Sequence, residues 1–295
     1  MKVEQLGYLI FDITHQTFAA MRSVFADVIG AKVEDQADGS VTVQMDGRPF
    51  RVQLRPSDLF RIVAVGWEVK DRQTLDALSE RVRAHGLSLQ DGRSADLAAR
   101  AVEALVRFTD LDGFPVELFV DKAFAADPDL SSRFVCGKTD SGNFGMGHLV
   151  QIAADRFAAK EFYQNVLGFG FTDRITWDAA DLFFLHCNKR HHSLALAGEV
   201  FGLRSGQIDH FMIQTPDKAR VDEAYERLQA LGFAVSQTLG EHTNDKTYSF
   251  YMMTPAGFRL EFGYGGITVE DPAQWQPAVY DSPSSWGHEL QHAPA

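Results

Sequence analysis

The sequence predicts an α+β fold built from four βαβββ-like modules, two in each half of the chain. Three observations predict it: a self-similarity at an offset near 140 residues, a glycine-closed helical periodicity in each repeat, and short apolar strand-like segments after each helix. A chain of 295 residues has length for two such halves and a sizeable core.

In the first module, Leu6-Gly7-Tyr8-Leu9-Ile10 reads as a strand. Met21, Val24, Phe25, Val28 and Ile29 then follow the i, i+3, i+4, i+7, i+8 rule of an amphipathic helix. The helix closes at Gly30, which accepts a left-handed conformation without a Cβ penalty. Strands over 41–45 and 50–54 follow, with a turn at Asp46-Gly47. The second module repeats the order, with a strand over 63–69, a helix through Leu75, Leu78 and Val82 closed by Gly86, and strands over 105–109 and 114–120. In the third, Met146-Gly147-His148-Leu149-Val150 is the counterpart of the opening strand. Phe162, Tyr163, Val166 and Leu167 repeat the helix up to Gly168, and strands over 182–188 and 193–197 follow. The fourth has a strand over 208–214, a helix through Val221, Ala224, Tyr225 and Leu228 closed by Gly232, and strands over 247–253 and 258–264. The halves are read as residues 1–130 and 145–266, with a linker of polar breakers at 131–144. Residues 267–295, with prolines and tryptophans and little periodicity, are expected as an irregular tail packed near the second half.

Composition narrows the function. Hydrophobic residues at 45%, charged residues at 23% and no apolar run of 18 or more argue against a membrane span. The net charge of −12 argues against nucleic acid and anionic membranes as partners, since both need clustered Lys and Arg. No secretory pattern opens the chain, and Cys136 and Cys187 read as free thiols, so a cytoplasmic protein is expected. Of the ten histidines only His15 and His85 precede residue 140, so the chemistry is expected in the second half.

His148 in the third module and His210 in the fourth occupy matching first-strand positions, so side-by-side packing of those strands brings two imidazoles together. Glu261, on the last strand of the fourth module, is a carboxylate among apolar residues and needs a partner. A single strand His or Glu is more often a hydrogen-bonded residue than a ligand, by roughly five to one. Three at module-equivalent places reverse those odds. Two imidazoles and one carboxylate on one face of a metal leave the other positions open, the arrangement of non-haem Fe(II) oxygenases, and the set also admits Mn(II). The corresponding first-half positions read as Tyr8, approximately Val65, and Glu117, so that half is expected to bind no metal. Phe184 and Val150 alternate in phase with His186 and His148 and are expected as apolar substrate walls.

The stretch from Gly240 to Glu261, with His242, Phe250-Tyr251, Pro255-Ala256-Gly257 and Glu261, resembles the signature of the type I extradiol ring-cleavage dioxygenases, members of the vicinal oxygen chelate superfamily. The likeness spans nearly the whole chain and is greatest to the 2,3-dihydroxybiphenyl 1,2-dioxygenase group; His186 to His192 and Ser285-Trp286-Gly287-His288 share it. The resemblance implies two vicinal-oxygen-chelate domains, iron in the C-terminal one, and O2-dependent meta cleavage of an aromatic diol. A two-ring catechol is expected, such as 2,3-dihydroxybiphenyl, with 1,2-dihydroxynaphthalene and 2,2′,3-trihydroxybiphenyl as alternatives. It further implies that His192 rather than His191 acts as acid and base, that His242 and Tyr251 hydrogen-bond the diol, and that Asn244 and Asp245 organise the loop around His242 beside the substrate. A homo-oligomer is compatible with this group. The competing readings are an isomerase or lyase of the same architecture and a metal-free protein that binds a hydrophobic ligand. The set His192, His242 and Tyr251 disfavours the first, and metal analysis separates the second.

Overall fold

The computed structural model describes residues 1–291 except positions 140, 179 and 201; Asp140 of the linker and the last four residues of the tail lie outside the described residues. The first module comprises β1 (Val3–Thr14), α1 (His15–Ser23), β2 (Lys32–Asp35), β3 (Val41–Gln44) and β4 (Val52–Ser57). The second comprises β5 (Arg61–Val69), α2 (Arg72–Ala84), β6 (Gln90–Asp91), a short α3 (Ser94–Arg100), β7 (Val102–Thr109) and β8 (Pro115–Asp121). After α4 (Pro128–Arg133) and the hairpin β9 (Gly137–Thr139) and β10 (Gly142–Gly145), the third module runs through β11 (His148–Ala153), α5 (Arg156–Asn165), β12 (Gly170–Trp177), β13 (Ala180–His186) and β14 (Leu194–Gly198). The fourth has β15 (Ile208–Thr215), α6 (Lys218–Ala230), β16 (Val235–His242), β17 (Thr247–Met253) and β18 (Arg259–Gly265), followed in the tail by β19 (Ala278–Tyr280) and β20 (Ser284–Gly287).

Each module follows the βαβββ order, the second with the short α3 inserted before its last two strands. The first half forms an eight-stranded sheet in the order β2-β3-β4-β1-β5-β8-β7-β6, and the second a ten-stranded sheet in the order β19-β12-β13-β14-β11-β15-β18-β17-β16-β20. In both, the first strands of the paired modules lie antiparallel at the centre, β1 on β5 and β11 on β15. One face of each sheet buries the helices in a core continuous between the halves, where Phe11 stacks on Phe211 and Phe258 at centroid distances of 5.9 and 5.2 Å. Gly30 closes the first helix at φ 74°, after a wider π-type turn over Val24–Ile29.

Three sequence expectations change. The strand after each helix lacks the pattern that marked its neighbours: β2 is almost wholly exposed, β6 has two residues, and bulges interrupt β16. The linker is structured, with Asp127 capping α4 and β10 packed so that the Met146 N–H bonds the Leu6 carbonyl at 2.9 Å. The tail is not merely irregular. Its β19 adds in parallel to β12 and its β20 antiparallel to β16, one at each edge of the second sheet.

Candidate metal centre

The centre of the second sheet brings the predicted residues to one face by register. Directly opposed residues on neighbouring strands share a face. Val150 opposes His210 across β11 and β15, and His210 opposes Arg259 across β15 and β18. One step along, His148 opposes Met212, Met212 opposes Glu261, and Glu261 opposes Tyr251. His148, His210, Glu261 and Tyr251 therefore come from four strands yet meet at one place.

His148 Nε2 lies 3.2 Å from His210 Nε2, and Glu261 Oε2 lies 3.1 and 3.3 Å from them. All three residues are buried, Glu261 completely. Neither carboxylate oxygen of Glu261 has a hydrogen-bond partner. A buried anion left so is costly unless a cation takes it. Donors about 2.1 Å from one centre and at right angles to one another are about 3.0 Å apart, which matches this spacing. The set thus fits a divalent metal. Asp209 accepts from His210 Nδ1 at 2.6 Å, which leaves the Nε2 lone pair for the metal; Arg259 in turn pairs with Asp209. Burial lowers the His148 pKa against the pull of Glu261, and burial opposes the Glu261 charge, but His148, His210 and His242 hold that carboxyl well below its usual range.

Around this set lies a cavity of about 490 Å³. Its wall on one side is apolar: Val150, Ile175, Phe184 and Ala195 form a buried cluster with Trp177 and Leu182 packed on it. Phe184 opposes Ala195, and Ala195 opposes Val150, so this wall is a row continuous with His210. His192 lines the cavity and stacks on His148 at 4.1 Å, whereas His191 points away to Asp173. Burial, reinforced by His148 and His191, pushes the His192 pKa well below 6.5. On the opposite side Tyr251 Oη and His242 Nε2 are 2.8 Å apart, and His242 Nε2 is 3.4 Å from Glu261. Burial opposes the His242 charge, but Glu261 and Asp245 raise its pKa to about 9.

Asn244 and Asp245 also line the cavity, yet neither fixes His242 by a hydrogen bond. The His242 ring is held at Nδ1 by the carbonyl of Pro283 at 2.9 Å, a tail residue that local reading could not bring near it. Asn244 leaves its Nδ2 without a partner, and Asp245 accepts from the Thr247 N–H and lies 3.8 Å from His192 Nδ1. His288 was missed too. It packs on His242 at 4.4 Å and lines the cavity with Ser284 and Leu290, so the tail closes one side. The dipeptide Asp209-His210 was the available signal for the missed carboxylate behind a ligand.

In the first half the same register places Tyr8 opposite Gly66 and Gly66 opposite Glu117. Ala64, not Val65, takes the place of His210, because Ile10 opposes Ala64 as Val150 opposes His210. Tyr8 donates to Glu117 at 2.7 Å and Arg100 pairs with Glu117 at 2.9 Å, so protein groups occupy the carboxylate there.

A family model described as the Glyoxalase/Bleomycin resistance protein/Dioxygenase superfamily matches residues 145–262. The chain is 48% identical over 292 residues to a 2,2′,3-trihydroxybiphenyl dioxygenase of Sphingomonas paucimobilis, covering 99% of each. It is 32% identical over 305 residues to an iron-dependent extradiol dioxygenase of Rhodococcus jostii, covering 98% of each. Among solved structures, the 2,2′,3-trihydroxybiphenyl 1,2-dioxygenase of Sphingomonas wittichii aligns with a TM-score of 0.96 at 46% identity, over 98% of this chain and 100% of that one.

Proposed function

We propose, on the premise that this chain belongs to the extradiol dioxygenases of the Glyoxalase/Bleomycin resistance protein/Dioxygenase superfamily, that it opens the ring of a biaryl catechol beside the diol, using O2. The observation that carries this reading is the buried His148, His210 and Glu261 set at one end of an apolar cavity with room for a second ring. His148, His210 and Glu261 would hold ferrous iron, with Mn(II) also admitted, and the metal would supply a redox-active Lewis acid for a diol and dioxygen.

The remaining chemistry belongs to the chain. Glu261 balances the metal charge, and Asp209 keeps His210 in the ligating tautomer. His192 takes a proton and later returns it at its ring nitrogen, a role suited to an imidazole held neutral by burial. His242 and Tyr251 donate to the negative charge that develops on the diol oxygens, and their mutual contact fixes their direction before substrate arrives. Val150 and Phe184 hold the distal ring and exclude water, and Asn244 lines the same cavity. Residues 145–266 form the catalytic unit, residues 1–130 a metal-free unit of the same design, 131–144 the linker and 267–295 the tail, from which Pro283, Ser284, His288 and Leu290 line the cavity. The two buried free thiols suit a reducing compartment such as the cytoplasm.

The test is anaerobic loading with Fe(II), followed by oxygen uptake with 2,3-dihydroxybiphenyl, 2,2′,3-trihydroxybiphenyl, 1,2-dihydroxynaphthalene and 3-methylcatechol. One O2 consumed per diol, a yellow product and higher kcat/KM for the two-ring diols are expected. Inactivity toward all four would sink the reading.

A further inference from the structure

We infer that Asp173 and His191 are positioning residues that set the tautomer of His192 through a relay; the inference rests on the reading of His192 as acid and base. Asp173, on β12, is buried at 1% exposure and uses both oxygens. Oδ1 accepts the Ala278 backbone N–H of β19 at 2.8 Å, and Oδ2 lies 2.7 Å from His191 Nε2. An ionised carboxylate only accepts, so a neutral His191 carries its proton on Nε2 and its lone pair on Nδ1. That Nδ1 lies 3.1 Å from His192 Nδ1, which must then be the N–H. The proton of neutral His192 is thereby fixed on Nδ1, and Nε2 is the bare lone pair of a ring that lines the cavity.

The surroundings hold His191 in this arrangement. The Thr172 hydroxyl donates to its carbonyl at 2.8 Å, and Trp275 of the tail packs edge-on at 5.6 Å while donating to the Thr172 carbonyl. His191, His192 and Asp245 have donor atoms within 4.8 Å of one another, a spacing that a second metal would also produce. The hydrogen bonds account for the closeness of the two rings without an ion, and Asp245, at 3.8 Å from His192 Nδ1, is outside hydrogen-bond distance.

Asp173→Asn makes the decisive variant. The Ala278 N–H needs an acceptor, so the new amide keeps its oxygen there and turns its NH2 toward His191 Nε2, which reverses every tautomer in the relay. The readout independent of turnover is the ¹⁵N spectrum of the histidine-labelled chain loaded with Zn(II), with the His192 signal assigned by its loss in His192→Gln. The wild type is expected to show His192 protonated on Nδ1 and Asp173→Asn to show it on Nε2. In the Fe(II) enzyme kcat is expected to fall about 10–100-fold, with metal content and KM for 2,3-dihydroxybiphenyl little changed and with recovery in Asp173→Glu. His191→Phe, which removes the acceptor while filling its space, is expected to lose kcat to the same extent. An unchanged His192 tautomer in Asp173→Asn, or two metal ions per wild-type chain, overturns the relay. A wild type inactive on every diol but with the Nδ1 tautomer intact overturns the catalytic reading instead.

Discussion

At the residue scale, histidines of one type are set to different tasks by what each touches. His210 has Asp209 behind it, His242 has Glu261 and the Pro283 carbonyl, and His192 is buried against His148, His191 and Phe184. His186 shows the same logic outside the site. Its ring sits over Gly170, where a Cβ would come within 2.3 Å of it, and its Nδ1 meets the Thr172 hydroxyl at 2.8 Å. Burial, with Lys2 and His191 adding to it, pushes the His186 pKa down to about 4. The folded chain therefore binds fewer protons there than the unfolded chain, whose histidines titrate near 6.5. Stability from this group is present above about pH 6.5 and lost as pH falls through about 4. In His186→Gln, the fall in melting temperature between pH 6.5 and 4 is expected to be smaller by a few degrees; an unchanged pH slope would count against the assignment.

At the element scale, the tail strand β20 is the part of the site least expected from local pattern. It pairs with β16 at Gly240, and a Cβ on Gly240 would lie 2.4 Å from the His288 backbone nitrogen. Only glycine lets the two strands approach this closely, and the approach seats His288 against His242. Gly240→Ala is expected to push β20 outward, cost about 1–3 kcal/mol and lower kcat through His242, with the metal retained. Calorimetry with metal analysis checks this; an unshifted melting temperature and full turnover would mean that the tail adjusts freely. Helices and central strands were legible because apolar periodicity reports burial on one face. The strands β2, β6, β12 and β16 were not, because outer strands carry polar residues on both faces and are held by neighbours distant in sequence.

At the scale of the whole molecule, the two halves repeat one design, and among the described residues only the second gathers His and carboxylate side chains at metal-binding spacing. In the first half Tyr8 and Arg100 satisfy Glu117, while in the second neither Glu261 oxygen is hydrogen-bonded and the imidazoles of His148, His210 and His242 stand within 3.1–3.4 Å. Metal should therefore be a stabilising ligand of the folded chain alone. Chelation of the anaerobic protein is expected to lower its stability by about 2.7 kcal/mol relative to metal at a hundredfold excess over Kd. Glu261→Ala, His148→Ala and His210→Ala are expected to abolish that difference and the bound metal, and Glu117→Ala to keep both; differential scanning with metal analysis reads the outcome. By itself the sequence determined the modular repeat, the phase of each core helix and the candidates His148, His210 and Glu261 that the sheet brings together, because periodicity and an internal copy are local properties that can be compared along the chain. Only the tertiary structure decided that Ala64 rather than Val65 replaces His210, that Pro283 and His288 complete the site, and that Asp173 stands behind His191. Each of these depends on register between strands far apart in the chain, and register is fixed by packing of the whole sheet rather than by the residues of any one strand.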